Sequence, residues 1–295
     1  MVSKFSRALG ALALAATLTA GSAFGEDLKP FPDSSRLVAV GGSLTEIIFA
    51  LGEEGRLVGR DSTAVYPEAA LELPDVGYMR ALSPEGVLSV NPSALLVLTG
   101  SGPKEALDVL SKASIPYQTV PEGFSHEGIL AKIKAVGQAL DVEDKARALS
   151  DEVDKDLKEA EALTANVAAK KKVLFILSMQ DGKVQASGTG SAANGIIALA
   201  GAENAITDYQ GYKALTDEAI INARPDVILM MDRGGELAVS DEALFTHPGI
   251  ALTPAGQNHK VVRIDGAYLL GFGPRTASAV RDLARAIYGD TLGGN

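Results

Sequence analysis

Short apolar segments alternate with helical patterns along most of this chain, and that alternation limits the fold more than any other feature. Segments with the pattern of buried strands lie at 36–41, 56–60, 94–98 and 117–121, with helical patterns between them. The alternation returns in the second half, with strand patterns at 171–178, 226–231 and 260–265. Strands that alternate with helices predict βαβ units and mainly parallel sheets. The sequence therefore predicts the α/β class.

A charged segment separates the two halves. Residues 141–170 contain neither glycine nor proline and are rich in alanine, leucine, glutamate, aspartate and lysine. Leu149, Val153 and Leu157 recur there at helical spacing, which predicts one long helix with a single apolar face. The chain is thus expected to form two Rossmann-like lobes bridged by a single long helix, with boundaries at 26–140, 141–170 and 171–295. Such a stiff bridge predicts little closure of one lobe on the other.

The first residues have the pattern of an export signal. Lys4 and Arg7 precede an apolar run, and Ala23 to Gly25 fit a small-x-small cleavage site. Residues 1–25 are therefore expected to be a secretory signal peptide. The chain contains no cysteine, so it has neither disulfide bonds nor the lipid-bearing cysteine of a bacterial lipoprotein. We expect a freely diffusing periplasmic protein with no direct membrane anchor.

Several function classes lack the residues that they need. The sequence has no cysteine nucleophile, no G-x-S-x-G elbow, no Walker A loop and no G-x-G-x-x-G. Its three histidines do not have the spacing of helical zinc ligands. The formal net charge of −10 argues against nucleic acid and anionic membrane surfaces as partners. A binding protein is favoured over an exported α/β enzyme, which would need an acid–base set that the sequence does not display.

An internal repeat indicates that the two lobes have a similar architecture. Residues 82–97, LSPEGVLSVNPSALLV, align without a gap with 215–230, LTDEAIINARPDVILM. In each copy a helix is predicted to begin after Ser83 or Thr216, with Glu85 or Glu218 in its first turn. These glutamates either complement the helix dipole or form equivalent docking carboxylates on the two lobes.

Tyr78 and Arg80 lie two residues apart in a predicted loop, GYMRAL. Residues two apart in an extended segment point to the same side, and a nearby guanidinium favours the phenolate form of a tyrosine. Phenolate oxygen suits ferric iron, and tyrosine is an axial ligand in some haem proteins. The alternative is a tyrosine packed at a lobe edge beside a solvated arginine. Spacing alone favours that alternative.

Further candidates surround the predicted cleft. Tyr212 and Lys213 occupy the matching loop of the second copy of the repeat, and Arg233 follows the end of a predicted strand. The glycine-rich apolar loop 266–275, GAYLLGFGPR, carries Phe272 and Arg275. Such a loop either lies flat on a planar ligand or packs as a buried turn.

Taken together, the motifs GGSLTEIIFALG, LPDVGYMRALSPEGVLSVNP, GTGSAANGIIALAG and LLGFGPRT make the chain resemble the periplasmic haem-binding proteins of bacterial haem ABC importers. The resemblance implies a class III periplasmic binding protein that carries haem b in an interlobe cleft to an ABC permease dimer with its ATPase, and not an enzyme. It assigns Tyr78 as the iron ligand and Arg80 as its neighbour. It also assigns Glu85 and Glu218 to permease docking. Tyr66, in AVYPEA, is an alternative iron ligand only because it lies near Tyr78 in the sequence.

The sequence departs from the family at one position. Some members have a histidine where this chain has Met179, and a thioether suits ferric iron less well than phenolate does. We therefore expect five-coordinate iron on Tyr78, or a weak sixth ligand. Lys213, Arg233 and Arg275 are candidate partners of the haem propionates. The resemblance also implies a monomer supplied by an outer-membrane haem receptor system. The alternative within binding proteins is a carrier of ferric siderophores or cobalamin.

Overall fold

The computed structural model describes residues 27–232, 238–289 and 292. The predicted signal peptide lies outside this part of the chain. Two sheets form, one on each side of a long helix in the sequence, and the predicted α/β class with two lobes is confirmed. Within the residues that the structure describes, no helix is long and apolar enough to cross a membrane.

The first sheet is entirely parallel. Its strands are β1 (Leu37–Val40), β2 (Leu57–Arg60), β3 (Ala94–Leu98) and β4 (Tyr117–Val120), in the order β2-β1-β3-β4. The helices of this half are α1 (Gly42–Ala50), α2 (Pro84–Leu88), α3 (Lys104–Lys112) and α4 (His126–Leu140). Strands β1 and β3 are buried along their whole length, as the continuous apolar sequence of a central parallel strand requires.

The second sheet is mixed. Its strands are β5 (Lys172–Gln180), β6 (Lys183–Ser187), β7 (Glu203–Asn204), β8 (Tyr212–Leu215), β9 (Val227–Asp232) and β10 (Val261–Asp265). The order is β10-β9-β5-β6-β8, with β7 paired to β5. The three strands β10, β9 and β5 are parallel, whereas β6 is antiparallel to both of its neighbours.

The second half of the chain contains the remaining helices. Beyond the long helix α5 (Glu143–Ala162) they are α6 (Ala192–Leu199), α7 (Asp217–Ala223), α8 (Asp241–Phe245), α9 (Pro248–Ala251), α10 (Pro254–Gln257), α11 (Gly266–Leu270) and α12 (Thr276–Tyr288).

The antiparallel edge of the second sheet was not predicted from the apolar pattern. Strands β5 and β6 are joined at Asp181 and Gly182, which both have positive φ, as a type I′ hairpin turn requires. The Asp-Gly pair between two apolar segments was the available signal. The predicted loop at Tyr212 is wrong, because Tyr212–Leu215 form the edge strand β8.

The long helix is shorter than its prediction. It begins at Glu143, after Asp141 ends α4 in a left-handed conformation with φ of 58°, and it ends at Ala162 rather than residue 170. Val153 and Leu157 are buried, as predicted from their spacing. His126 of α4 contacts Asp154 and Glu161 of α5. The division into lobes at residues 140 and 171 stays a prediction.

The internal repeat corresponds to two similar helix-to-strand units. Helix α2 leads to β3, and α7 leads to β9. The hydroxyl of Ser83 accepts a hydrogen bond from the Gly86 amide, and that of Thr216 accepts one from Ala219. Both predicted N-caps are therefore confirmed, and each helix has a glutamate in its first turn.

A buried lysine links the two lobes. The Lys132 ammonium of α4 donates to a Glu122 carboxylate oxygen at 2.5 Å, to the Ser43 hydroxyl at 3.1 Å and to the Phe272 carbonyl at 3.1 Å. Its side chain is completely buried. Burial lowers the pKa of the Lys132 ammonium and raises the pKa of the Glu122 carboxyl, in each case against the attraction between the two charges. The first lobe is thus bonded to residue 272 of the second.

Replacing this lysine is expected to destabilise the protein strongly. Lys132→Met leaves the Glu122 carboxylate buried without its counter-charge, so the free energy of unfolding should fall by about 3–5 kcal/mol. The measurement is urea unfolding followed by circular dichroism. The control is Lys134→Met on the same helix, because Lys134 is largely exposed and its ion pair with Asp27 is at the surface. Equal stability of the two variants would contradict a structural role for the buried contact.

Candidate ligand-binding cleft

The loop that carries Tyr78 is fixed by backbone hydrogen bonds at the carboxyl edge of the first sheet. The Gly77 carbonyl accepts from the Ser62 amide at 3.0 Å, and the Met79 carbonyl accepts from Gly102 at 2.8 Å. Met79 is buried, whereas its neighbours Tyr78 and Arg80 are exposed. The loop is therefore held in place and presents two polar side chains to solvent.

The predicted contact between Tyr78 and Arg80 is present. The Nη1 atom of Arg80 donates to the phenolic oxygen of Tyr78 at 2.9 Å, and the Tyr78 side chain remains 43% exposed. A positively charged donor on a phenolic oxygen stabilises the phenolate form. The pair thus offers an accessible phenolic oxygen with a cationic donor beside it.

Asp61 holds the segments beneath this loop. One carboxylate oxygen accepts from the Gly41 amide at 2.9 Å, and the other accepts from the amide and hydroxyl of Thr63 at 3.0 and 2.8 Å. The Thr63 hydroxyl also accepts from the Gly42 amide at 2.9 Å. Because Asp61 is completely buried, it fixes the ends of β1 and β2 to each other.

Tyr212 forms part of the opposite wall. Its ring packs edge-on against Phe175, with centroids 6.3 Å apart. Burial raises the pKa of the Tyr212 phenol, while the Ser191 hydroxyl and the charge of Arg80 oppose that shift. Arg80 of the first lobe thus contributes to the electrostatic surroundings of Tyr212 in the second lobe.

Lys213, which is predicted to bind haem, lies on the other face of β8 from Tyr212. Adjacent residues of a strand point to opposite faces of the sheet, so Lys213 of β8 points away from Tyr212. Its ammonium lies 5.0 Å from the Tyr209 ring centroid. It lines a separate depression of about 630 Å³ that also includes Asp208 and Glu218.

Met179 belongs to an apolar cluster of the second sheet. A bulge in β5 between Ile176 and Ser178 shifts the strand register, so that Met179 pairs with Val184. The side chain packs partly buried in the apolar cluster that contains Val184 and Ile176. Met179 and Lys213 therefore lie on the same face of the second sheet, and a contact of Met179 with haem stays a prediction. Alternation along the strand could not reveal the bulge.

Phe272 is buried rather than exposed to a ligand. Its side chain is 1% exposed and packs edge-on against Phe124 of the first lobe, with centroids 5.2 Å apart. The segment before it forms the short helix α11 rather than an open loop. The alternative of a buried turn is therefore the correct one for Phe272.

Arg275 has a partner within the protein. Its Nε and Nη2 atoms donate to one oxygen of Glu46 at 3.1 and 3.0 Å. Its guanidinium also lies over the Tyr66 ring, 3.6 Å from the centroid, and 5.3 Å from that of Tyr268. Arg275 was predicted to bind a haem propionate. Its positive charge is instead already compensated by the Glu46 carboxylate. Arg233, the third predicted propionate partner, lies outside the described residues.

Tyr268 differs from Tyr78 in its surroundings. Burial and a hydrogen bond of 2.9 Å to the Asp282 carboxylate raise the pKa of Tyr268 to about 12. This phenol keeps its proton at physiological pH and donates a hydrogen bond to the Asp282 carboxylate. Among the tyrosines near the lobe boundary, only Tyr78 is described with a cationic donor bonded to its hydroxyl oxygen.

Glu85 and Glu218 are both exposed at the beginnings of equivalent helices. Each belongs to a different lobe, as the repeat predicted. Their exposure leaves both readings of the sequence open, because a carboxylate at this position complements the helix dipole whether or not it meets a partner.

Four of the polar residues that organise this region were not predicted from the sequence. Glu46 is a lone carboxylate in the apolar run GSLTEIIFALG, and Lys132 lies among apolar residues in the pattern of α4. Isolated charges on apolar helix faces were the available signals. Asp61 directly follows β2, and Glu122 lies shortly after the end of β4. Polar residues are common at such positions, so neither residue formed a distinctive pattern.

Two lobes with sheets of mainly parallel strands, joined by one long helix, define a class III periplasmic binding protein. The chain belongs to the periplasmic binding protein family, which matches residues 37–268. Among solved structures it is similar to the periplasmic haem-binding protein BhuT in complex with two haems. The identity is 41%, the match covers 88% of this chain and 100% of that one, and the TM-score is 0.82.

Two other relatives extend this comparison. The apo form of the periplasmic haem-binding protein RhuT from Roseiflexus sp. RS-1 is 37% identical, with coverage of 88% of this chain and 100% of that one and a TM-score of 0.82. The uncharacterized ABC transporter substrate-binding lipoprotein YvrC of Bacillus subtilis strain 168 is 28% identical over 278 residues. That match covers 93% of this chain and 87% of YvrC.

Removing one acceptor from Asp61 is expected to weaken the platform beneath Tyr78. Asp61→Asn places an amide group against the donors of Thr63 or Gly41, so the free energy of unfolding should fall by about 1–3 kcal/mol. Chemical denaturation measures the change. Asp75→Asn serves as the control, since Asp75 is well exposed and close in sequence. A smaller loss for Asp61→Asn than for Asp75→Asn would show that the buried carboxylate does not organise these segments.

Proposed function

We propose that this protein binds haem in the interlobe cleft and carries it through the periplasm to an ABC permease for import. The observation that carries the proposal is the Arg80–Tyr78 hydrogen bond on a fixed, exposed loop. The similarity of this chain to BhuT and RhuT, which are described as haem-binding proteins, supports haem as the ligand.

Tyr78 is proposed to bind ferric iron as phenolate. Phenolate oxygen is a suitable axial donor, and the Arg80 guanidinium offsets its charge. Tyr212 and Tyr268 are less suited to this role, because burial raises the pKa of each phenol. Met179 packs into an apolar cluster, so we expect five-coordinate iron on Tyr78.

Arg80 is also the proposed partner for a carboxylate of the ligand. Guanidinium has several donors, and only the Nη1 contact with Tyr78 is described for this side chain. It is exposed and also influences the buried Glu122 and the phenol of Tyr212. The Arg80 guanidinium thus bonds the Tyr78 phenolic oxygen and is also positioned to bind a haem propionate.

The rest of the transport cycle follows from the family. We propose that the exposed carboxylates of Glu85 and Glu218 meet basic surfaces of a permease dimer, whose ATPase drives import. The protein acts as a monomeric carrier without catalytic activity, downstream of an outer-membrane haem receptor system. Residues 1–25 are proposed to be a signal peptide, and the mature chain is proposed to carry no lipid.

Loss of the phenolic oxygen is expected to remove the iron ligand and leave the fold intact. Tyr78→Phe should raise the dissociation constant for haemin about 100-fold, equivalent to about 2.7 kcal/mol, and abolish the ferric–phenolate absorption band. Haemin titration followed in the Soret region measures both effects. The matched control is Tyr117→Phe, which removes a phenol from β4.

Two outcomes of that titration argue against the proposal. If Tyr78→Phe retained the wild-type spectrum and affinity, the ligand assignment would be wrong. If the wild-type protein gave no Soret change but bound a ferric siderophore or cobalamin, the haem assignment itself would be wrong.

Neutralising both docking carboxylates should separate transport from binding. Glu85→Gln combined with Glu218→Gln is expected to reduce haem uptake by about tenfold in proteoliposomes that contain the permease, since the ion pairs that orient the carrier are lost. The haemin affinity should stay unchanged. The control is Glu105→Gln, an exposed carboxylate in the first turn of α3. Normal uptake by the double variant would reject the docking role.

A further inference from the structure

Arg275 joins the two lobes beside the cleft. It precedes α12 in the second lobe, and Glu46 lies on α1 in the first. In addition to the two side-chain bonds, the Arg275 amide donates to the other oxygen of Glu46 at 3.1 Å. Gly273 permits this approach, because a Cβ atom there would lie only 3.2 Å from that oxygen. The guanidinium is therefore fixed in orientation.

The fixed guanidinium supports an aromatic ring. Arginine donates hydrogen bonds in its plane and stacks through its faces, so the bonds to Glu46 leave a face for Tyr66. The Tyr66 ring covers that face at 3.6 Å, yet its side chain remains 45% exposed. The ring is thus supported on one side and accessible on the other.

Tyr66 also belongs to the platform that carries Tyr78. The Ser62 amide bonds to the Gly77 carbonyl at 3.0 Å, and the Thr63 hydroxyl contacts the Met79 sulfur at 4.0 Å. These contacts hold the segment before Tyr66 against the segment around Tyr78. The two exposed phenol rings therefore project from one bonded unit of the first lobe.

Exposed apolar side chains are concentrated in this area. Of the seven large apolar or aromatic side chains that are exposed in the described part of the chain, four lie between residues 65 and 78: Val65, Tyr66, Leu71 and Tyr78. Tyr212 of the opposite wall is a fifth. Clustered exposed apolar surface is typical of a binding site.

We propose that Tyr66 packs against the planar ligand as a second aromatic contact, and that Arg275 and Glu46 are positioning residues that hold its ring. This inference rests on the proposed haem-binding function. Because the Glu46–Arg275 ion pair spans the lobes, it sets the position of the ring relative to both walls of the cleft. Arg275 acts on the ligand through Tyr66 rather than as a propionate partner.

The first test compares Tyr66→Ala with Tyr66→Phe, which keeps the ring and its stacking on Arg275. Haemin-loaded protein is mixed with excess apomyoglobin, and the rate of haem transfer is measured. Tyr66→Ala should release haem about tenfold faster, the change that about 1.4 kcal/mol produces, while Tyr66→Phe stays within about twofold of wild type. The ferric–phenolate band should be unchanged in both variants, because Tyr78 remains bound to iron.

A double-mutant cycle tests the positioning role. Arg275→Gln should accelerate release about threefold in the wild-type background and have no further effect in Tyr66→Ala, because the arginine acts through the ring. Arg275→Lys should not restore the slow rate, since an ammonium cannot both stack and bond Glu46 in the guanidinium geometry. Glu46→Gln should alter the Soret circular dichroism of bound haem, which reports the aromatic surroundings. Thermal unfolding of each variant verifies its fold.

The outcomes separate this inference from the proposed function. Wild-type protein that gives no Soret change overturns both. Wild-type binding with a release rate that is the same in Tyr66→Ala overturns the aromatic contact alone. If Arg275→Gln accelerates release equally with and without the Tyr66 ring, the positioning role of Arg275 is overturned.

Discussion

The contacts of residues 272–275 with the first lobe are the constraint on which the cleft depends. The Phe272 carbonyl accepts from the buried Lys132, the Phe272 ring packs against Phe124, and the Arg275 side chain is bonded to Glu46. Each contact joins the lobes independently of the helix α5. The expectation of little lobe closure therefore has a second basis besides the predicted stiffness of the bridge. A segment that was expected to cover a planar ligand instead bonds the second lobe to the first.

A second set of contacts converts an irregular loop into a stable platform. Loops usually carry exposed polar groups and move more than the elements that they connect. Here Asp61 joins the ends of two strands, and Met79 is buried and bonded to the loop after β3. The side chains on either side of Met79 consequently point outward from a fixed backbone. Such preorganisation lowers the ordering cost of ligand binding.

The α/β class, the two lobes and the helix between them could be predicted from the sequence, because apolar periodicity and capping residues act over a few residues. Ser83 and Thr216 illustrate this, since each caps a helix within its own turn. The pairing of Tyr78 with Arg80 was predictable for the same reason. The placements of Met179 and Lys213 were not, because a bulge and an unrecognised edge strand decided which face of the sheet each residue occupies.

The sequence by itself determined the strand and helix pattern, the equivalent glutamates of the repeat and the tyrosine–arginine pair, all of which depend on local spacing. Only the tertiary structure decided that Glu46 meets Arg275, 229 residues away, and that Tyr66 stacks on the same guanidinium. Which charges become buried, and against which partners, depends on how the lobes pack. No short-range pattern records that packing, because its free energy arises from surfaces that are distant in the chain.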